Sequence, residues 1–350
     1  MLHLKRTLLV GAAVAGVLAP AAAAGTVTPA ANPFAGARLF VDPGAAAAVE
    51  RDAAAQRGDA TSAAALDRIA STPQATWFIA ADDPALSGYV RSWFGRLDAA
   101  GAGTVPVIAL HGLPNQVCAG DNAPGAADDA SYQRWITAWA DALRGRRAIV
   151  VVEPDGLAAS RCLAPAARAA RRALVRSAAA TLAAVPGVAV YLDIGAGDWL
   201  PLRLAAAYLR AAGIAGVRGF TLNTTHYDWT ADEVHYGERL SRLTGGARYV
   251  VNTAFNGRGP QVRHGFHVWC NPRGRALGPL PTRKTHAAHA DAFFWLGNPG
   301  LSDGHCNGGP QVGTFWTEWA LELSNNALGA RDFPVWHPPP RNRARRTARP

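Results

Sequence analysis

The sequence predicts an α/β fold built on a parallel sheet, and two observations carry that prediction. Seven short apolar runs recur between residues 76 and 296, and Ala-rich stretches long enough to be helices lie between several of them. Strand-then-helix alternation is the pattern of parallel strands joined by crossover helices. Seven strands suggest a closed or nearly closed barrel, with a doubly wound open sheet as the alternative.

The elements follow in order. Lys5 and Arg6 precede the apolar stretch Leu8 to Leu18 and the small residues Ala22-Ala23-Ala24. This is the pattern of a secretory signal peptide, so residues 1–24 are read as a cleaved leader and set aside from the fold. Its apolar core is too short to span a membrane comfortably. No later run is long and apolar enough to be a transmembrane helix. The chain is therefore expected to be extracellular, with no membrane anchor, and a monomer.

Strands are expected at Thr76–Ala80, Val105–Leu110, Ala148–Val152, Val188–Asp193, Val217–Leu222, Arg248–Thr253 and Ala292–Leu296. Helices are expected at Ser131–Arg144, Ala164–Ala184, Leu202–Ala212, Asp232–Leu243 and Thr314–Leu328. No domain-scale break interrupts Asn32 to Pro334, so residues 25–334 are read as one barrel domain. Residues 335–350 hold Pro338-Pro339-Pro340, then Arg341, Arg343, Arg345, Arg346 and Arg349, part of a formal net charge of +10. Such a tail can touch anionic polymers, but a solvated tail with no specific nucleic-acid partner is the plainer reading.

With 49% hydrophobic and 17% charged residues, the chain supports a large core and excludes disorder. Its cysteines, Cys118, Cys162, Cys270 and Cys306, suit an oxidising compartment and allow three connectivities. Sequence-adjacent pairing, Cys118 to Cys162 and Cys270 to Cys306, is the expectation. No CxxC pair or Cys/His cluster has metal-ligand spacing, so neither a metal nor a cofactor is expected.

The chemistry concentrates at strand ends. Glu153-Pro154-Asp155-Gly156-Leu157 follows the apolar run Ala148 to Val152. A carboxylate at the C-terminal end of a parallel strand lies where such folds build active sites. Burial there raises its pKa enough to hold a proton for transfer. The alternative is an Asp that only caps the next helix. Asp193, Asn223 and Asn252 fall at or just after the ends of successive strands, and Asp303 sits in the loop Gly300-Leu301-Ser302-Asp303-Gly304. Convergence on one rim is what a barrel active site requires. Among the 11 Trp, Trp77, Trp199 and Trp269 lie near that rim. Flat indole faces stack on the apolar faces of sugar rings, although core packing is the usual role of a single Trp.

Several segments in order resemble glycoside hydrolase family 6, the cellobiohydrolases and endoglucanases that cut β-1,4-glucan with inversion. They are Asn32-Pro33-Phe34, Ala148 to Ala158, Tyr191-Leu192-Asp193, Trp269 to Gly278 and Ser302 to Pro310, and the similarity runs from about Asn32 to Ala330. The resemblance implies a distorted seven-stranded parallel β/α barrel, TIM-like, with both sequence-adjacent disulfides. It implies Asp155 as general acid and Asp303 as candidate base, acting directly or through water. Inversion needs the two carboxyls roughly 6.5–9.5 Å apart. Trp199, Trp269 and Asn223 match positions that hold sugars on the leaving-group side, and Trp77 matches a platform on the non-reducing side. The implied partner is a polysaccharide or oligosaccharide.

The departures fall mainly on the glycone side. Where the family has Arg-Asp-Cys, this chain has Gln116-Val117-Cys118. A tyrosine position is His111, a histidine becomes Ala196, and a loop serine aligns near Asn122. A lysine and a glutamate become Gly297 and Leu301, and an Asp and an Arg become Asn252 and Phe255. Asp121 is a candidate substitute for the missing carboxylate. Two readings follow: a hydrolase with altered glycone-side subsites, or a non-catalytic polysaccharide-binding relative.

Overall fold

The computed structural model describes residues 31–114 and 125–327. The expected leader and basic tail, Val117, Cys118, Asp121 and Asn122 lie outside the described residues. In chain order the elements are β1 (Arg38–Leu39), α1 (Ala46–Gln56), α2 (Ala60–Ala70), β2 (Thr76–Ile79), α3 (Gly88–Ala99), β3 (Thr104–Val105), β4 (Val107–His111), α4 (Asp129–Ala142) and β5 (Ala148–Val152). There follow α5 (Pro165–Ala183), β6 (Val188–Asp193), α6 (Leu202–Ala211), β7 (Gly219–Leu222), α7 (Thr230–Leu243), β8 (Arg248–Asn252), β9 (Gln261–Arg263), β10 (Phe266–Val268), β11 (Ala290–Phe294) and α8 (Thr317–Ala327).

Seven strands pair in the order β2, β4, β5, β6, β7, β8, β11, all parallel. The order follows the chain without reversal. A doubly wound sheet needs a point where the strand order turns back, so that alternative is excluded. The sheet curls into a distorted barrel. At its seam one parallel bridge joins Gln74 to Trp295, and the Trp77 indole N–H donates to the Leu296 carbonyl at 2.7 Å.

Alternation along the strands separates two of the core's clusters. Val107, Ala109, Ile149, Val151, Tyr191, Val250, Ala292 and Phe294 pack together with Phe34, as one set of alternate positions. The intervening residues, among them Ile108, Leu110, Val150, Val152, Leu192 and Phe220, pack with residues of the crossover helices. Asp291 is buried and anchors several elements at once. Its carboxylate accepts from Arg218 at 2.8 Å, Arg248 at 3.1 Å and the Tyr191 hydroxyl at 2.7 Å.

Each of the seven expected strands is present within a few residues, with physical reasons for the differences. Pro106 lacks an N–H and splits the expected Val105–Leu110 strand into β3 and β4. A register irregularity between Ala290 and Ala292 starts the last strand two residues early. The helices α1, α2 and α3 were not anticipated. The buried faces of α1 and α2 are largely alanine, with Ala47, Ala48, Ala54, Ala65 and Ala70, so their apolar periodicity is faint. Among the described residues no helix is long and apolar enough to cross a membrane.

Candidate functional site

The rim begins where β5 ends. Glu153 (φ 54°) and Asp155 (φ 64°) both take left-handed backbone, a conformation that costs non-glycine residues of order 1–3 kcal/mol each. The kink sends the two carboxyls to different tasks. Glu153 is fully buried and accepts from the Gly112 N–H at 3.0 Å and the Leu113 N–H at 3.2 Å. It therefore fixes the chain leaving β4, and burial pushes its carboxyl up to about 7. Asp155 is half-buried and opens onto a cleft.

Asp193 holds this kink in place. Its Oδ1 accepts from the N–H groups of Asp155 and Gly195, each at 2.9 Å, and its Oδ2 accepts from the hydroxyls of Thr221 at 2.7 Å and Thr224 at 2.5 Å. Asn223 and Asn252 lock the next two strand ends together. Asn223 donates to the Asn252 carbonyl at 3.0 Å, and Asn252 returns a bond to the Asn223 carbonyl at 2.9 Å. The Asn252 amide oxygen also accepts from Ala254, Leu296 and Gly297.

The cleft, about 330 Å³, is lined by Asp155, Asp303, Trp77 and Trp269 among others. Four of the site residues anticipated in the sequence thus come together. Trp199 and Asn223 do not line it. Trp199 stacks on the His226 ring with centroids 5.0 Å apart, and the Asn223 amide is spent on the Asp228 and Asn252 backbone.

Burial raises both carboxyls. Burial, then the charge of Asp193, pushes Asp155 up to about 7, while His226 and the Thr225 hydroxyl, donating at 2.8 Å, pull the other way. Burial also pushes Asp303 up to about 7, against the Asn271 N–H at 3.0 Å, His226 and the Tyr227 hydroxyl. Thr225, His226 and Tyr227 were not singled out in the sequence. The signal available for them was the polar run Asn223 to Tyr227 directly after a strand.

The positions that depart from the resembled pattern are also ordered. His111 lines the cleft, and burial lowers it to about 4, so its ring is neutral near pH 7. Gly297, Leu301 and Phe255 line the same cleft. A Cβ on Gly297 would lie 2.5 Å from the Phe255 ring, so that ring occupies the room a side chain at 297 would need.

The family profile described as Glycosyl hydrolases family 6 matches residues 34–327. The chain belongs to glycosyl hydrolase family 6. This family 6 chain is 43% identical to the endoglucanase Cel6 from Mycobacterium tuberculosis, solved in complex with methyl-cellobiosyl-4-deoxy-4-thio-β-D-cellobioside. The TM-score is 0.78, covering 85% of this chain and 99% of that one. It is 37% identical to Endoglucanase A of Cellulomonas fimi, over 78% of this chain and 58% of the relative's own length. It is 33% identical to Endoglucanase 1 of Streptomyces halstedii, over 81% of this chain and 88% of the relative.

The Cys270–Cys306 bridge expected from the sequence is present, with Cα atoms 6.1 Å apart. It joins the Trp269-Cys270-Asn271 segment to the Asp303 loop. Asn271 and Asp303 also exchange reciprocal bonds between backbone N–H and side-chain oxygen at 3.0 and 2.8 Å. Cys162 is disulfide-bonded as well; its expected partner, Cys118, is outside the described residues.

Proposed function

We propose that the chain is a secreted glycoside hydrolase that cleaves β-1,4-glucan with inversion of configuration. The observation that carries this reading is the cleft in which two carboxyls, each pushed up to about 7, lie with two tryptophans. Asp155 is the general acid. Its raised pKa keeps a proton available at neutral pH, and the Thr225 hydroxyl orients it. Asp303 is the base, acting on the attacking water directly or through a second water. Trp269, 44% exposed, and Trp77 provide flat apolar faces for sugar rings. Trp199 and Asn223 support the leaving-group side from behind the cleft lining, Trp199 by stacking on His226 and Asn223 by holding the loop before His226. The endoglucanase and cellobiohydrolase names of the relatives support the substrate class.

Altered glycone-side subsites follow from Gly297, Leu301, Phe255 and His111, uncharged residues that line the cleft. The same residues favour a second reading, a binding protein that retains the aromatic platform. One experiment separates the two. Purified protein is incubated with a panel of β-glucans, and reducing-end release and binding are measured in the same samples. Turnover with inverted product anomer, followed by NMR, supports the hydrolase. Binding without turnover across pH overturns it in favour of the binder.

A further inference from the structure

Beside the cleft lies a second cluster that the proposed hydrolysis does not use. His267, in β10, presents Nδ1 2.9 Å from Asp198 Oδ2 and 2.5 Å from Asp228 Oδ1. These three donor atoms lie within 4.8 Å of one another. One ring nitrogen carries at most one proton, so it cannot satisfy two carboxylates. Here it makes no aligned hydrogen bond to either, and its surface is buried. Asp228 is 4% exposed, and both its carboxylate oxygens are buried without a hydrogen-bond partner. Burying such groups unpaired is costly. A third carboxyl, Glu233, is buried nearby with one oxygen also unpartnered. Three carboxyls and two imidazoles, His226 and His267, are therefore crowded into one small region. Asp198 is itself steadied by His226, whose Nδ1 lies 3.2 Å from its other oxygen.

We propose that Asp198, Asp228 and His267 form a binding site for a divalent transition-metal ion of the zinc class. Two carboxylates and an imidazole suit zinc, and the nitrogen disfavours calcium and magnesium. Zinc ligand atoms sit about 2.0–2.2 Å from the ion, which spaces them about 3–3.5 Å apart in a tetrahedron. Reaching that spacing widens the His267 separations of 2.9 Å and 2.5 Å by about 0.5 and about 1 Å, within reach of side-chain rotation. A fourth position is left for water.

The ion would clip the β9–β10 hairpin to the rim. Asp198 adjoins Trp199, Asp228 adjoins Trp229, and His267 lies two residues before Trp269. The hairpin tip is otherwise exposed, with Phe266 at 78%. Its root is held where Gly259 (φ 63°) meets the Trp229 indole, so closely that a Cβ would fall 2.1 Å from it. The site would thus set the position of Trp269 over the cleft.

The test uses the full chain after treatment with a chelator and buffer exchange. Zinc chloride is titrated by calorimetry, thermal unfolding is followed with and without the ion, and hydrogen exchange is measured across residues 261–268. The expected result is one ion per chain, a raised Tm and slower exchange in the hairpin. His267→Gln and Asp228→Asn should each weaken binding by on the order of 100-fold, since even outer partners of a metal site are worth 10–100-fold. His267 is in an exposed hairpin, so its variant tests the site without depending on core packing. Three results would overturn the proposal: no binding to the parent protein, undiminished binding by the folded His267→Gln variant, or calcium matching zinc.

Discussion

Replacing Asp155 with asparagine separates the cost of this carboxyl from its use. The unfolded chain ionises Asp155 near 3.8, whereas the folded chain does so only near 7. Folding therefore carries no penalty from this group below about pH 3.8. The penalty grows as pH rises through the window between the two values and is complete above about 7. A shift of about three units at about 1.4 kcal/mol each gives a ceiling of about 4 kcal/mol. Solvent access to the half-buried carboxyl brings the expected figure down to about 1–3 kcal/mol. Asparagine keeps the shape and an oxygen for the Thr225 hydroxyl but carries no charge. Asp155→Asn should therefore raise stability at pH 8 by about 1–3 kcal/mol, a Tm gain of roughly 2–4 °C per kcal/mol for a domain of this size. It should give no gain at pH 4. On β-1,4-glucan the same variant should lose about 10²–10⁴-fold in kcat with oligosaccharide binding retained. Thermal unfolding across pH and rates on soluble glucan make the measurement. Unchanged turnover would refute the acid role, and an equal Tm gain at both pH values would refute the electrostatic account.

Rates on soluble β-glucan should follow a bell centred near neutral pH, because activity fails below about 7 as Asp303 gains a proton and above about 7 as Asp155 loses one; a flat profile from pH 5 to 9 would contradict the pairing. Trp269→Ala should weaken oligosaccharide binding by at least the roughly 0.5–1.5 kcal/mol that stacking adds to area burial, and calorimetry showing parental affinity would move this ring out of the ligand's path. Asp291→Ala should cost about 3–5 kcal/mol in denaturant unfolding, since it strands Arg218 and Arg248 without their shared carboxylate; a loss below about 1 kcal/mol would show that the network is not what holds that end of the barrel. Gly297→Lys should destabilise through the Phe255 ring, and the double variant with Phe255→Ala should lose less Tm than the sum of the two single losses; additive losses would refute that steric pairing.

The barrel was legible because buried parallel strands are continuous apolar runs and their order along the chain is also their order in space. The convergence of Asp155, Asp303, Trp77 and Trp269 on one cleft was legible because a strand-end carboxylate and rim tryptophans carry local signatures. What escaped depends on distance in space. Asp198, Asp228 and His267 come from three separate segments, so no metal-ligand spacing marks them. The scaffold role of Asp193 was hidden for the same reason, since its partners Thr221 and Thr224 lie on the next strand and loop. The α1 helix escaped because alanine forms its whole buried face, and α2 because alanine forms half of its own, beside Leu66 and Ile69; alanine leaves little contrast in a hydrophobic pattern.

The replaced residues bear directly on how the two carboxyls divide a proton. His111 is neutral near pH 7, and Gly297, Leu301 and Phe255 bring no charge to the cleft. Burial is left as the dominant influence on Asp155 and on Asp303, and it moves both to nearly the same value. Two independent groups of equal pKa would reach the productive state, with the acid protonated and the base ionised, in only about a quarter of molecules at best. The charge of Asp303 also raises Asp155, less than burial and Asp193 do, and to that extent favours states holding a single proton. Which carboxyl keeps it is then set by the neighbours. Asp193 pushes the proton toward Asp155, whereas the Asn271 N–H and the Tyr227 hydroxyl favour a charge on Asp303. Those contacts are supplied by β6, by the loop after β7 and by the disulfide-bound Asn271 segment. On the proposed acid and base assignment, the scaffold around the carboxyls would therefore distribute the proton.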